Sequence, residues 1–111
     1  MEITDVETIS FAVESTKTRD AKGHGHPGEP HEAVRRITRV AVDGGPDGVC
    51  LGGDPRANDL ATEYLVGQDP LERERIHRFF RRSGRLHREA LSEPAVSRID
   101  CALWDLAGKH Y

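Results

Sequence analysis

"AVSRIDCALWDLAGKHY", residues 95–111, places apolar side chains at Val96, Ile99, Ala102, Leu103 and Leu106. The spacing i, i+3, i+6, i+7, i+10 lines one side of an α-helix. Ser92 precedes it as an N-cap, with Glu93 and Pro94 in the first turn. There a carboxylate suits the helix dipole and the N–H that proline lacks is not needed. Burying the large side chains of such a stripe contributes about 1.5–3 kcal/mol each, so the helix must pack against something.

Upstream the helical period continues. "GQDPLERERIHRFFRR" has Asp69 as an N-cap, Pro70 at the first helical position and a stripe of Ile76, Phe79 and Phe80. Gly84 interrupts, and a short segment from Leu86 to Leu91 reads as a further helix. Before these, Pro55 opens a helix whose Leu60, Ala61, Tyr64 and Leu65 share a face.

Ahead of residue 55 the period is two. In residues 2–14, Ile9, Phe11 and Val13 alternate with Ser10, Ala12 and Glu14, the pattern of a strand with one buried face. Val6 breaks parity with Ile3 and Ile9, which predicts a bulge or register change near residues 5–7. Residues 33–43 form a second strand. "DGGPDGVCLGG" then carries turn dipeptides and returns through Val49 and Leu51. Residues 15–32 show no apolar period and read as a loop. Strands followed by helices mean α+β, not a parallel α/β sheet. The expected fold is a three-stranded antiparallel meander followed by a three- to four-helix bundle.

At 111 residues the chain is one domain, able to bury roughly two thirds of its unfolded surface. A net charge of -3 and a pI near 6.0 argue against a dedicated nucleic-acid binder. No apolar run approaches a membrane span and no secretory leader is seen, which predicts a cytoplasmic protein with no membrane partner. Cys50 and Cys101 read as buried free thiols.

The last helix also carries a motif. Ile99, Asp100, Cys101, Ala102, Leu103, Trp104, Asp105, Leu106, Ala107, Gly108 and Lys109 follow the run I-D-x-A-L-W-D-[apolar]-x-G-K. This resembles the end of the N-terminal domain in the mandelate racemase / muconate lactonizing enzyme family of the enolase superfamily. "ITDVE", "DGGPDGV" and "DPLERERI" fall in the matching order, so the resemblance covers most of the chain. Arg98 stands where these relatives carry a small residue, and "GVCLGG" lacks their Gly-Glu.

The resemblance implies that residues 1–111 are an enolase-like N-terminal capping domain followed by a catalytic (β/α) barrel. It implies a homo-oligomeric, Mg²⁺-dependent enzyme acting on a small-molecule carboxylate. Such an enzyme removes the proton alpha to the carboxylate, and a cation held by hard oxygen ligands offsets the charge of the enediolate. Metal ligands and acid/base groups would lie in the barrel, so no catalytic or metal-ligating residue is assigned to this segment. An acid-sugar dehydratase is the first expectation; a racemase, epimerase or cycloisomerase is the alternative.

In that family the loop between the first two strands folds over the barrel mouth. His24 and His26 are then candidates to hydrogen-bond substrate hydroxyls, and Lys17, Arg19 and Lys22 to pair with a second carboxylate. The competing reading is a solvated loop whose histidines bind Zn²⁺ or Ni²⁺ opportunistically; imidazoles suit Mg²⁺ poorly. His31 reads as structural or exposed. Arg73, Arg75, Arg78, Arg81, Arg82, Arg85 and Arg88 suggest, alone, a free-standing nucleic-acid-binding module. Against that, Glu72 with Arg75 and Glu74 with Arg78 have ion-pair spacing, which favours a solvated helix face. Trp104 reads as a packing residue and Asp105–Lys109 as a structural pair.

Overall fold

The structure, a computed structural model, describes residues 1–83 and 92–111. Strands β1 (Ile3–Arg19), β2 (Gly25–Val42) and β3 (Gly48–Leu51) form one antiparallel sheet in the order β1-β2-β3. Helices α1 (Pro55–Leu65), α2 (Arg73–Ser83) and α3 (Glu93–His110) come after the sheet in the chain. This is the expected α+β meander with helices after it. The short helix expected over 86–91, and Arg85 and Arg88 of the basic cluster, lie outside the described residues.

The face of β1 that meets the helices is not the one the alternation predicts. Ile3 pairs with Val42, but Asp5 pairs with Ala41 and Val6 with Val40, so Thr4 is an extra residue in β1. This bulge, slightly earlier than expected, turns Ile3 and Val6 to the same side. Ile3, Val6, Val40 and Thr38 are buried there. Asn58 of α1 hydrogen-bonds the Thr8 hydroxyl, and the Thr62 hydroxyl donates to Val6 O at 3.1 Å. Ile9 and Phe11 point away from the helices and remain 40% and 37% exposed, in place of the buried face expected of them.

The predicted loop over 15–32 is mostly strand. β1 runs on to Arg19 and β2 starts at Gly25, leaving a turn at 20–24. The ribbon shows no apolar period because neither of its faces is buried this far out. Its ladder slips between Ser15–His31 and Lys17–Pro27, across Gly28, Glu29 and Pro30. Pro30 has no N–H to give the ladder.

In α1 the Asp54 carboxylate accepts from Arg56 N–H at 3.0 Å, and Ala57, Asn58, Ala61 and Leu65 are the buried positions. Leu60 and Tyr64 are half-buried. α2 starts three residues later than expected. Asp69 instead caps a separate turn, accepting from Leu71 N–H at 2.9 Å, with Pro70 buried beneath it. Ile76 and Phe80 are buried, but Phe79 is half-exposed with its ring edge on Tyr64, centroids 4.8 Å apart.

α3 buries Ile99, Ala102, Leu103 and Leu106 as the spacing requires, and Ser92 caps it through Ala95 N–H. Gly48 of β3 lies against the Ala102 carbonyl and Leu106, where any Cβ would collide with the helix. Beside it Val49 N–H donates to Asp105 at 2.9 Å, and Lys109 pairs with the same carboxylate at 2.8 Å. Cys50 is half-buried and Cys101 exposed, not buried as expected, because residue 101 falls on the outer side of α3. Among the described residues no helix is long and apolar enough to cross a membrane.

Candidate functional site

β3 pairs with β2 only from Ile37 to Val40, and Gly52 N–H adds a last bond to Arg36 O at 2.7 Å. Beyond Arg36 the ribbon of β1 and β2 is two-stranded and ends in the turn at 20–24. All five candidate residues sit at that end: Lys17 and Arg19 on β1, Lys22 and His24 in the turn, His26 on β2.

Asp20, which the sequence reading did not select, organises this tip. Its Oδ1 accepts from Lys22 N–H and His24 N–H, both at 2.9 Å. Its Oδ2 lies 2.8 Å from His26 Nε2 and 3.7 Å from His24 Nδ1. Backbone bonds from Asp20 N–H to His24 O and from Gly23 N–H to Asp20 O, both 3.0 Å, close the turn. Gly23 sits at φ +80°, a conformation glycine adopts freely. The signal was present as Asp20-x-x-Gly23, an aspartate able to bond the backbone two and four residues on. The His26 hydrogen bond, then the His24 N–H, hold the Asp20 carboxyl below its usual range.

His24 and His26 thus converge on one carboxylate, with side chains 70% and 55% exposed. Lys17 and Arg19 are not gathered with them. Thr18 is the cross-strand partner of His26, so Lys17 and Arg19 alternate to the other face of the ribbon. His31 is exposed, its Nδ1 3.0 Å from Glu29 O.

Chemically, the tip offers imidazoles and a carboxylate able to exchange hydrogen bonds; among the described residues it holds no nucleophile with an adjacent base. It does not fit a magnesium ion. Both Asp20 oxygens already accept hydrogen bonds, and the remaining side chains are imidazoles, poor ligands for a hard cation. Among the described residues no group of three or more His, Cys, Asp or Glu is gathered for any metal. Nearer the sheet, a shallow cleft of about 430 Å³ is lined by Phe11, Val34, Arg35, Arg36, Leu51 and the Gly52–Gly53 turn.

Among the described residues the basic cluster is partly engaged within the chain. Arg75 bonds Glu72 at 2.6 Å and also Gln68, while Arg73 lies over the Trp104 ring. The expected Glu74–Arg78 pair does not form among the described residues.

The three-stranded meander, closed by a helix with the I-D-x-A-L-W-D motif, places this chain in the enolase superfamily. The fold is similar, with a TM-score of 0.85 and 30% identity, to the crystal structure of D-glucarate dehydratase from Agrobacterium tumefaciens complexed with magnesium. That likeness covers 98% of this chain and 30% of the other. The sequence is 34% identical to a D-galactonate dehydratase family member of Oceanicola granulosus, over 84% of this chain and 24% of the relative. It is 40% identical to D-galactarolactone cycloisomerase of Agrobacterium fabrum, over 58% and 18%. No family model matches the chain. It belongs to the mandelate racemase / muconate lactonizing enzyme family, and spans less than a quarter of the length of the two curated relatives.

Proposed function

We propose that residues 1–111 are the capping domain of an enzyme that abstracts the proton alpha to a carboxylate, and that its reaction is dehydration of an acid sugar. Loss of the alpha proton and of the beta hydroxyl leaves an enol, which rearranges to a 2-keto-3-deoxy acid. We place the chemistry in a C-terminal barrel, with Mg²⁺ held there by oxygen ligands to offset the enediolate charge.

The observation that carries this reading is the ribbon: two strands of 17 and 18 residues reach past the helices and end in a polar tip pinned by Asp20. A tip of that kind suits a lid over a polyhydroxylated substrate, because closure excludes water and strengthens the electrostatics inside. His24 and His26 would hydrogen-bond substrate hydroxyls. With its Nε2 on Asp20, His26 has Nδ1 left to offer. Lys17, Arg19 and Lys22 would meet a second carboxylate, those on the far face only if substrate passes the ribbon edge. The outward apolar face with Ile9, Phe11 and Leu51 supports a protein in which that face is covered, by the barrel or by another identical chain.

Cycloisomerisation is the second reading, favoured by the relative that is 40% identical. The test is to incubate the complete enzyme and Mg²⁺ with a panel of aldonic and aldaric acids and aldarolactones. The dehydratase reading expects a 2-keto-3-deoxy product. Conversion of lactones alone supports the second reading, and turnover of neither class contradicts both.

A further inference from the structure

The pairing of Arg73 and Trp104 stands apart from the tip. The Arg73 guanidinium carbon lies 4.0 Å from the centre of the Trp104 ring. Its Nε and Nη1 are closed off from solvent and, among the described residues, have no hydrogen-bond acceptor. No carboxylate among the described residues lies within 4.0 Å of it, while neighbouring Arg75 is fully engaged by Glu72 and Gln68. Nη2 is the one nitrogen of the group not closed off in this way. A largely shielded cation with no counter-charge is costly, and cation–π attraction offsets only part of that.

The surroundings are equally unfinished. Trp104 is 58% exposed and Tyr111, seven residues on along the same side of α3, is 84% exposed. Cys101 and Gly108 on that side are exposed too. Arg73 opens α2 and Trp104 lies late in α3, so the patch sits beside the C-terminal end of α3.

We propose that this patch is a docking surface for the polypeptide C-terminal to Tyr111, and that a carboxylate of that polypeptide pairs with the outer edge of Arg73. The proposal rests on the reading of this chain as one domain of a longer enzyme. The polypeptide after Tyr111 is the assigned occupant because the chain spans only 24% of a relative that it otherwise matches over 84% of its own length. A carboxylate is assigned because the shielded guanidinium lacks a counter-charge among the described residues, and pairing beside an aromatic ring in a dry joint is stronger than at an open surface.

The test is the sign of a stability change in the full-length protein. Arg73→Met keeps the stacking volume and removes the charge. If a carboxylate is docked there, the variant strands it, and the thermal midpoint at pH 7 falls by about 4 °C or more. The deficit shrinks as the pH drops into the carboxylate range, since a paired carboxylate contributes stability that is lost on protonation. An unchanged or raised midpoint overturns the proposal, because replacing a lone shielded guanidinium by methionine relieves a cost. If Arg73→Met yields no folded protein, Arg73→Gln decides: a deficit that shrinks on acidification supports the pairing, and a pH-independent one overturns it. A reading frame that closes at Tyr111 removes the occupant and overturns it as well. Acid-sugar turnover by the wild-type protein reports separately on the functional reading.

Discussion

Asp20 Oδ2 lies 2.8 Å from His26 Nε2, while Oδ1 of the same carboxylate accepts the amides of Lys22 and His24. One side chain therefore sets both the backbone of the turn and the orientation of an imidazole. Asp20→Ala is expected to free the turn without touching the core. Hydrogen exchange at the amides of residues 22 and 24 should rise roughly tenfold or more, with the global unfolding midpoint unchanged. Unaltered exchange would show that the turn holds without its carboxylate.

The same carboxylate fixes a direction for pH. Asp20 titrates below the ordinary 3.8, chiefly because of His26, and Asp54 and Asp105 do so chiefly because of Arg56 and Lys109. A carboxyl whose folded value is lowered adds stability that is fully present above the unfolded value and is lost as pH falls through the folded one. The turn, the α1 cap and the β3–α3 bond should hold from neutral pH down to about 4 and then loosen together below it. Amide exchange at residues 24, 56 and 49, followed by NMR on acidification, checks this; loosening that begins above about pH 5 would contradict it.

Gly48 is expected to be intolerant of any side chain. An added methyl meets the Ala102 carbonyl and Leu106, neither of which can swing away. Gly48→Ala should destabilise the protein by about 1–3 kcal/mol, read from urea unfolding. A neutral result would mean that β3 and α3 do not pack this closely.

Leu103 is fully buried between the sheet and the helices. Leu103→Ala should cost about 2–5 kcal/mol in the same measurement. The exposed Leu51→Ala should change little, since most of its surface already faces solvent in this chain.

The stripe of α3 is legible because local spacing sets it: Ser92 caps the helix, and Ile99, Leu103 and Leu106 go inward as the period requires, whereas α2 starts at Arg73 and leaves Phe79 half-exposed. The inward face of β1 was not readable, because one extra residue at Thr4 reverses parity, and nothing in Ile9 and Phe11 themselves reports a bulge five residues earlier. The ribbon over 15–32 was missed for a related reason. Strands exposed on both faces carry no hydrophobic alternation, and Gly25, Pro27, Gly28 and Pro30 are turn-forming residues elsewhere. At the tip, His24 and His26 could be selected from their sequence alone. The division of His26 from Lys17 and Arg19 across two faces depends on the pairing Thr18–His26. Asp20 leaves only the faint Asp-x-x-Gly mark in the sequence, because two of its partners are backbone amides and the third, His26, is met only once the turn has formed.

The central claim is that the tip of the ribbon touches substrate while the metal is held elsewhere. It is tested most directly by replacing His24 and His26 with alanine in the complete enzyme, then measuring steady-state kinetics and bound Mg²⁺ on the same preparation. The account expects KM for the true substrate to rise about tenfold or more, a loss of roughly 1.4 kcal/mol in binding, with metal content unchanged. Wild-type kinetics, or loss of Mg²⁺ with substrate affinity intact, would contradict it.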